Sequence, residues 1–377
     1  MNKNTIIYIV IIIILVVLIV VSGSLYIHRY YQRENFHQHP SIFVSVPSYR
    51  DKDCKNTVND IFRKAKHPER VFIGACEQNS EDNREKCIDE KCLYPDNIRI
   101  LSISHKDAKG PLYARALINH NLYEGEDYYL MIDAHTRFRN NWDVNLINQI
   151  EYLHKSVDKP ILSCYPAGFS SKDNDLSDMD GGKNTAHICE IDGGEKYPTV
   201  AVARTVDGGK FRKGMLLAAG NLFTYGQFVK EVKFDPTLYH LFNGEEILLA
   251  LLAYTNGWDI YSPSSNNIFH EYNDGSQDRS SWFDDNLKDD ENEKTLENNA
   301  IDKLNKILFD DNFSKNYKYG VGNKRKISEF WDELGWKDGK YTKEKFWCEN
   351  SPKIDFPLIE EFTTDIPDTN SYLVGVM

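Results

Sequence analysis

Short apolar runs alternate with stretches of helical spacing along the first half of the chain. Apolar runs of strand length cover residues 42–46, 70–76, 98–103, 128–132 and 161–165, and helical spacing covers residues 57–66 and 111–123. Strands that alternate with helices are typical of sheets whose strands run parallel. The pattern therefore predicts an α/β fold, with a Rossmann-like, mostly parallel sheet flanked by helices.

The second half of the chain has a different pattern. Residues 170–210 are rich in Gly, Asp and Ser, which favours either a long excursion over a site or an antiparallel insertion. Residues 284–294 form a dense acidic run, which is typical of a solvated linker. Two helical stripes follow, Leu296, Ala300, Leu304, Ile307 and Leu308, and then Ile327, Phe330, Trp331 and Leu334 before Gly335.

The N-terminal segment is apolar enough to enter a membrane. Residues 5–27 contain no charged side chain, and residues 6–21 are almost entirely Ile, Val and Leu. A transmembrane helix needs ~20 such residues, whereas the apolar core of a cleaved signal peptide has about 7–15. We therefore expect an uncleaved single-pass anchor, and the side of the membrane stays open. Lys3 precedes the segment and two arginines, Arg29 and Arg33, follow it, so the positive-inside rule leans toward a cytoplasmic body, the reverse of the usual Golgi arrangement.

Composition narrows the classes of partner. The net charge of −12 disfavours nucleic acid as a partner, and it also disfavours tight docking of the body on anionic membranes. The seven cysteines leave the redox compartment open, since an even subset would suit disulfides in an oxidising lumen. The sequence lacks the glycine patterns of dinucleotide enzymes and P-loop NTPases and the Gly-x-Ser-x-Gly of serine hydrolases, so these three classes lose support.

An Asp-x-His pair follows the apolar run at residues 128–132. Because side chains alternate along a strand, we expect Asp133 and His135 to point to the same side. A carboxylate with an imidazole suits a divalent cation such as Mn²⁺, and ligands in α/β sheets bind beyond the carboxyl ends of the strands. His270, at the end of a later aromatic strand, is the candidate third ligand. A cation there would hold the diphosphate of a sugar nucleotide, and an ordinary surface turn is the alternative.

Other polar residues also follow apolar runs. Ser48, Arg50 and Asp51 come directly after the first predicted strand, where they suit a base and ribose or merely cap a helix. Arg115 lies on the helix before the Asp-x-His strand and is either a phosphate ligand or an ordinary surface residue. Gly220 follows an apolar stretch and would let the backbone approach a sugar closely.

Two adjacent carboxylates, Glu245 and Glu246, follow Gly244 at the start of a markedly apolar helix. The helix dipole alone explains one carboxylate in that position. The pair beside an apolar run indicates that at least one faces a cavity. There it would bind an acceptor hydroxyl or stabilise an oxocarbenium-like centre. Both glutamates stay candidates for this role.

Together these strings resemble the polypeptide α-N-acetylglucosaminyltransferase family over roughly residues 41–335. The resemblance rests on the run from Ile42 to Asp51, on Gly110-Pro111 with Ala114-Arg115, on Asp133-Ala134-His135 with Phe138 and Trp142-Asp143, on Gly244-Glu245-Glu246, and on His270. The chain is more distantly similar to the mucin-type GalNAc transferases. The middle alanine of the Asp-x-His motif stands where serine is common, and the membrane segment is additional to the founding soluble enzyme.

The resemblance implies a GT-A fold and a retaining, metal-dependent transfer from a UDP-sugar. The sugar would be GlcNAc from UDP-GlcNAc, and the acceptor a protein hydroxyl of the hydroxyproline or Ser/Thr type. Carried over by position, Asp133, His135 and His270 would bind Mn²⁺ or another divalent cation. Arg115 would approach the diphosphate, residues 48–51 would approach the uridine, and the two glutamates would lie near the acceptor.

We accordingly expect four parts in the chain. Residues 1–27 form a tip and transmembrane anchor, 28–40 a stem, 41–283 the GT-A catalytic domain, and 284–377 an acidic linker with a helical extension packed on that domain. Two other functions remain open. One is transfer of a different UDP-sugar to a glycan acceptor, and the other is a non-catalytic sugar-binding protein with the same fold.

Overall fold

The structure, a computed structural model, describes residues 40–170, 184–193, 198–272, 279–337, 340–342 and 346–356. The predicted anchor at residues 5–27 and most of the stem lie outside the described residues. Among the helices that the structure describes, none has the length and apolarity needed to cross a membrane. Ser41–Asp365 form one compact unit, and the predicted division at residue 284 stays a prediction.

Strands and helices alternate through the first half of this unit, as the apolar pattern predicts. The strands are β1 Ile42–Tyr49, β2 Val71–Asn79, β3 Ile98–Ser104, β4 Tyr128–Ile132, β5 Thr136–Phe138, β6 Pro160–Ser163, β7 Ala167–Gly168, β8 Asn184–Gly193, β9 Pro198–Asp207, β10 Lys210–Gly214, β11 Asn221–Tyr225, β12 Asp259–Ser262, β13 Ile268–His270, β14 Trp336–Lys337, β15 Lys340–Tyr341 and β16 Lys353–Asp355. The α-helices are α1 Cys54–Lys64, α2 Pro111–Asn121, α3 Trp142–His154, α4 Gln227–Glu231, α5 Glu245–Thr255, α6 Glu291–Phe309, α7 Asp311–Asn316, α8 Ile327–Leu334 and α9 Phe346–Glu349.

The main sheet has nine strands in the order β16-β10-β12-β6-β11-β4-β1-β2-β3. Strands β4, β1, β2 and β3 pair in parallel, as do β6 and β12. By contrast, β11 is antiparallel to both β4 and β6, and β10 is antiparallel to both β12 and β16. The sheet is therefore mixed rather than mostly parallel, because the chain re-enters it as β11 from the edge at which β4 ends.

The sheet separates two apolar clusters, and β4 shows how. Tyr129 and Met131 pack into the cluster that contains the buried residues of α2 and α5, whereas Leu130 and Ile132 pack into the cluster of α1 and α3. Successive side chains of a strand point to opposite faces, so a strand covered on both sides is apolar at every position. This burial explains why residues 128–132 show an unbroken apolar run.

The structure extends, decides or corrects the predictions for three other segments. β1 continues through Pro47 to Tyr49, because β2 stays paired with it over its whole length although the pairing with β4 ends at Ser45. In the excursion at 170–210, the described part is an antiparallel hairpin of β8 and β9. The acidic run is helical from Glu291 onward, where Asp290 caps α6, and is thus more ordered than a solvated linker.

Candidate active site

Three side chains that the sequence places far apart converge beyond the end of β4. One ligand atom from each of Asp133, His135 and His270 lies within 4.8 Å of the others. His270 Nε2 is 3.2 Å from Asp133 Oδ2, and the two imidazole rings have centroids 4.6 Å apart. The structure thus brings together the three residues selected from the sequence as metal ligands.

Strand pairing explains this convergence. β4 ends at Ile132, and Asp133 to His135 form the turn that leads into β5. The motif therefore lies beyond the strand, and the expected alternation of side chains along a strand does not explain why Asp133 and His135 meet. β5 is antiparallel to β13, and Thr136 faces His270 in that pairing. A further bond runs from Glu271 N to His135 O at 3.1 Å. The short β5–β13 ladder therefore carries the distant histidine to the turn.

Asp51 lies behind His135, and its predicted contact with the uridine stays a prediction. Its Oδ2 is 2.7 Å from His135 Nδ1, and its Oδ1 accepts a bond of 2.8 Å from Asp53 N. Burial would raise the pKa of Asp51, but the hydrogen bond and charge of His135 hold that pKa below its usual value. A carboxylate on Nδ1 fixes the ring and leaves Nε2 for the cluster, as in many metal sites.

Arg115 is buried between two carboxylates. Its side chain donates to Asp133 Oδ1 at 2.6 Å and to Glu245 at 2.8 Å, and the residue is 2% exposed. The predicted contact with a diphosphate stays a prediction, and both terminal nitrogens of this guanidinium already bind carboxylates. Although burial would raise the pKa of Asp133, its contacts with His270 and Arg115 hold that pKa well below the usual range. Asp133 is thus kept ionised and in place.

Gly220 makes room for the same carboxylate. A Cβ at this position would lie 2.5 Å from Asp133 Oδ2, closer than real Cβ contacts allow. The predicted close approach of a sugar at Gly220 stays a prediction. In the structure, the side chain that needs the space is Asp133, because Gly220 immediately precedes β11, whose first residue pairs with the last residue of β4.

The adjacent carboxylates at the start of α5 have different surroundings. Gly244 has a φ of 101°, which lets the chain turn into the helix. Glu245 is 3% exposed and ion-paired with Arg115, whereas Glu246 accepts bonds from Tyr165 Oη at 2.9 Å and Ala219 N at 3.0 Å. Burial raises the pKa of Glu246 to about 7, against the effect of these two bonds. The two adjacent carboxylates therefore differ, since Glu245 is paired with a guanidinium whereas Glu246 is held by a hydroxyl and a backbone N–H.

The residues predicted to meet the uridine lie at the end of β1. Ser48 is buried, and its Oγ has no hydrogen-bond partner among the described residues. Arg50 has a φ of 47° and binds Glu85 at 3.2 Å and Asp285 at 2.8 Å. Their contact with a nucleotide stays a prediction.

Two residues at the site were not predicted from the sequence. Tyr165, which binds Glu246, ends a stretch already predicted as a strand, so the rule that strand ends carry chemistry would have identified it. Arg279 lies 3.8 Å from Asp51 and 3.2 Å from Glu271. No local pattern marks Arg279, although Glu271 is only eight residues away along the chain, because its other partner, Asp51, lies in the distant N-terminal part of the sheet.

The side chains present suit a divalent cation. One carboxylate and two imidazoles are ligands that Mn²⁺ and its neighbours in the periodic table accept, and the carboxylate behind His135 supplies the outer support that such sites use. The arrangement also lies beyond the carboxyl end of a parallel strand, where α/β proteins bind their ligands.

The chain is similar to known proteins both in sequence and in fold. A family model described as "Glycosyltransferase (GlcNAc)" matches residues 41–93 and 80–339. The crystal structure of GalNAc-T7 with UDP, GalNAc and Mn²⁺ superposes with a TM-score of 0.50 at 15% identity over 82% of this chain, and at that identity the similarity establishes the fold alone. This chain spans 57% of the length of the GalNAc-T7 chain. The structure of S. aureus TarS with UDP-GlcNAc superposes with a TM-score of 0.40 at 13% identity. The superposition covers 74% of this chain and 76% of the TarS chain. No curated protein sequence matches.

Proposed function

Because this chain belongs to the glycosyltransferase (GlcNAc) family and is therefore a glycosyltransferase, we propose that it transfers GlcNAc from UDP-GlcNAc to a hydroxyl group of a protein. The transfer would use Mn²⁺ or another divalent cation, retain the anomeric configuration, and take a hydroxyproline or Ser/Thr hydroxyl as acceptor. The observation that carries the proposal is the convergence of Asp133, His135 and His270 at the carboxyl edge of the sheet.

The donor half of the site consists of the candidate ligands and the residues that hold them. Asp133, His135 and His270 would hold the cation, which when bound acts as a Lewis acid toward the leaving diphosphate. Asp51 keeps the His135 ring in one orientation, and Arg115 keeps the carboxylate of Asp133 in one position. Such preorganisation lowers the cost of arranging charged groups when the sugar–phosphate bond breaks.

The acceptor half of the proposal rests on Glu246. Its carboxylate is held by Tyr165 and by the backbone N–H of Ala219. There it would orient the acceptor hydroxyl on the face of the sugar from which UDP departs. The hydroxyl oxygen forms the new bond to the anomeric carbon, the bond to the diphosphate oxygen breaks, and the hydroxyl proton passes to that departing oxygen. The negative charge of Glu246 would stabilise the positive charge that develops on the sugar ring.

A metal-dependent UDP-release assay tests this function. The chain is incubated with UDP-GlcNAc, UDP-GalNAc or UDP-glucose, with Mn²⁺ or with EDTA, and with hydroxyproline or Ser/Thr peptides. We expect UDP release from UDP-GlcNAc that depends on Mn²⁺, is lost in His270→Ala, and is kept in the control His120→Ala, an exposed histidine on α2. Preference for another sugar would support the alternative donor. Release that is indifferent to both EDTA and His270→Ala would refute the metal site.

We also propose that residues 5–27 anchor the protein to a membrane with its body in an oxidising compartment. Two disulfides, Cys54–Cys87 and Cys189–Cys348, support this side of the membrane, because such bonds persist where thiols are not kept reduced. Protease protection of the body in sealed vesicles is the expected result. Digestion of the body in intact vesicles would place it in the cytoplasm, as the flanking arginines favour.

A further inference from the structure

His240, Lys109, Glu293 and Trp282 form a partly buried polar cluster that contains none of the candidate metal ligands. His240 is 0% exposed, and its Nε2 is 2.6 Å from Glu293 Oε2. Lys109 Nζ lies 2.6 Å from the other oxygen of the same carboxylate. The ring of Trp282 stacks on the imidazole with centroids 5.5 Å apart. One carboxylate from α6 therefore joins a cation and an imidazole from two other parts of the chain.

The backbone at this cluster is held in an unusual conformation. His240 has a φ of 60°, which side-chain-bearing residues rarely adopt, and the neighbouring Gly110 has a φ of 91°. His240 N donates to Lys109 O at 2.7 Å, and a Cβ at Gly110 would lie 3.2 Å from His240 Cα. Strained residues persist where the surrounding contacts over-determine them, and they concentrate at functional sites. The ion pair and the hydrogen bond to Glu293 are contacts of this kind.

The same cluster joins the beginnings of two helices that carry site residues. Lys109 and Gly110 immediately precede α2, which carries Arg115, and His240 precedes α5, which begins at Glu245. The ion pair of Arg115 and Glu245, with atoms 2.8 Å apart, links the same two helices. Two separate connections thus set the spacing between these helix beginnings, and one of them contains no residue of the site.

We propose that His240, Lys109 and Glu293 are positioning residues that fix the beginnings of α2 and α5 relative to each other. By fixing that spacing they keep Arg115 on Asp133 and keep Glu246 at its place beside the acceptor. This inference rests on the proposed function for its catalytic consequence. The acidic run at 284–294 then contributes to the site through Glu293, although it lies outside the site itself.

Removing the shared carboxylate is the main experiment. Glu293→Ala is expected to lower kcat for transfer by about tenfold or more, since small displacements of positioned groups cost that much. The KM for the UDP-sugar should stay within about twofold, because the candidate metal ligands themselves are untouched. The matched control is Glu291→Ala, whose carboxylate is exposed on the same helix turn and pairs with Lys294. Its kcat should equal that of the wild type.

Glu293→Gln separates positioning from folding if the alanine variant unfolds. The amide keeps the shape of the side chain and can accept one of the two bonds, but it loses its charge, so we expect a smaller fall in kcat with a melting temperature near that of the wild type. His240→Asn keeps a residue type that tolerates positive φ yet is too short to reach Glu293, and it should also lower kcat. Lys109→Arg keeps the positive charge of the ion pair, so this variant should retain most of the wild-type kcat.

Hydrogen exchange gives a readout that does not need turnover. Glu293→Ala should speed amide exchange in the first turns of α2 and α5 and leave α3 unchanged. If the wild type releases no UDP from any donor, the proposed function fails, and the exchange pattern still decides the positioning role. Wild-type kcat in both Glu293→Ala and His240→Asn would overturn the inference. So would a kcat that falls as far in the control Glu291→Ala as in Glu293→Ala. Amide exchange that rises evenly over all helices would overturn it as well.

Discussion

Replacing Gly220 by alanine tests whether the position of Asp133 controls metal binding. The added Cβ would lie 2.5 Å from Asp133 Oδ2, and contacts below 3.0 Å are essentially never seen, so the carboxylate must move by at least about 0.5 Å. Metal ligands keep their distances to within about 0.2 Å. The carboxylate has little freedom to adapt, because Oδ1 is 2.6 Å from Arg115 and Oδ2 is 3.2 Å from His270.

We therefore expect Gly220→Ala to weaken Mn²⁺ binding by about 10–100-fold, as loss of a supporting partner does in metal sites. kcat should fall by a similar or larger factor. The fold should tolerate the change, since Gly220 is not among the glycines with positive φ. Calorimetric titration with Mn²⁺, UDP release and thermal melting measure the three quantities on one preparation.

Gly214→Ala is the control for the added methyl group. There the nearest atom to a new Cβ is Ile188 O at 3.4 Å, an ordinary contact, and β10 lies four strands from β4 in the main sheet. Its Mn²⁺ affinity should equal that of the wild type. If Gly220→Ala also binds Mn²⁺ with wild-type affinity and keeps wild-type kcat, the carboxylate of Asp133 is not the ligand that we infer.

Three further predictions follow from the same contacts. Glu246→Gln should lower kcat by about 10²-fold with little change in UDP-sugar affinity. Glu245→Gln weakens a buried ion pair with Arg115 and should lower the free energy of unfolding by up to about 3–5 kcal/mol. Equal effects of the two variants on kcat and on stability would contradict this division. Burial raises the pKa of Glu246 from 4.5 to about 7, so the folded state binds this proton more tightly than the unfolded state, and the group's contribution to stability is present below pH 4.5 and lost as the pH rises to about 7. Melting curves from pH 4 to pH 8 should show this loss in the wild type and not in Glu246→Gln. Parallel dependence of the two melting temperatures on pH would disprove it. Asp51→Asn removes the carboxylate that orients His135 and should weaken Mn²⁺ binding by about 10–100-fold in a calorimetric titration; unchanged affinity would show that the ring is held by other contacts.

Several elements could be predicted from the sequence because their causes are local. The strand at residues 128–132 is confirmed residue for residue, since burial on both faces produces an unbroken apolar run. The helix Ile327–Leu334 is confirmed together with its end, where Gly335 has a φ of 88°. These signals depend on spacing within one element and on the conformational freedom of one residue.

The candidate metal ligands could also be selected from the sequence, because polar residues at strand ends are recognisable without knowing which strands pair. The sequence did not predict the bond between Asp51 and His135, the burial of Arg115 between Asp133 and Glu245, or the role of Gly220 beside Asp133. It also predicted a mostly parallel sheet, whereas the direction of β11 makes the sheet mixed.

By itself, the sequence determined the α/β class, the strand and helix signals and the types of side chain available for chemistry. Only the tertiary structure decided which partner each charged side chain has. Glu245 and Glu246 show the difference, since they are adjacent in the chain yet one binds Arg115 and the other binds Tyr165. Propensity and periodicity act over a few neighbouring residues. Ion pairs and strand pairing depend on how distant segments meet in space, as Tyr165 and Glu246 do across 81 residues and Arg115 and Glu245 across 130.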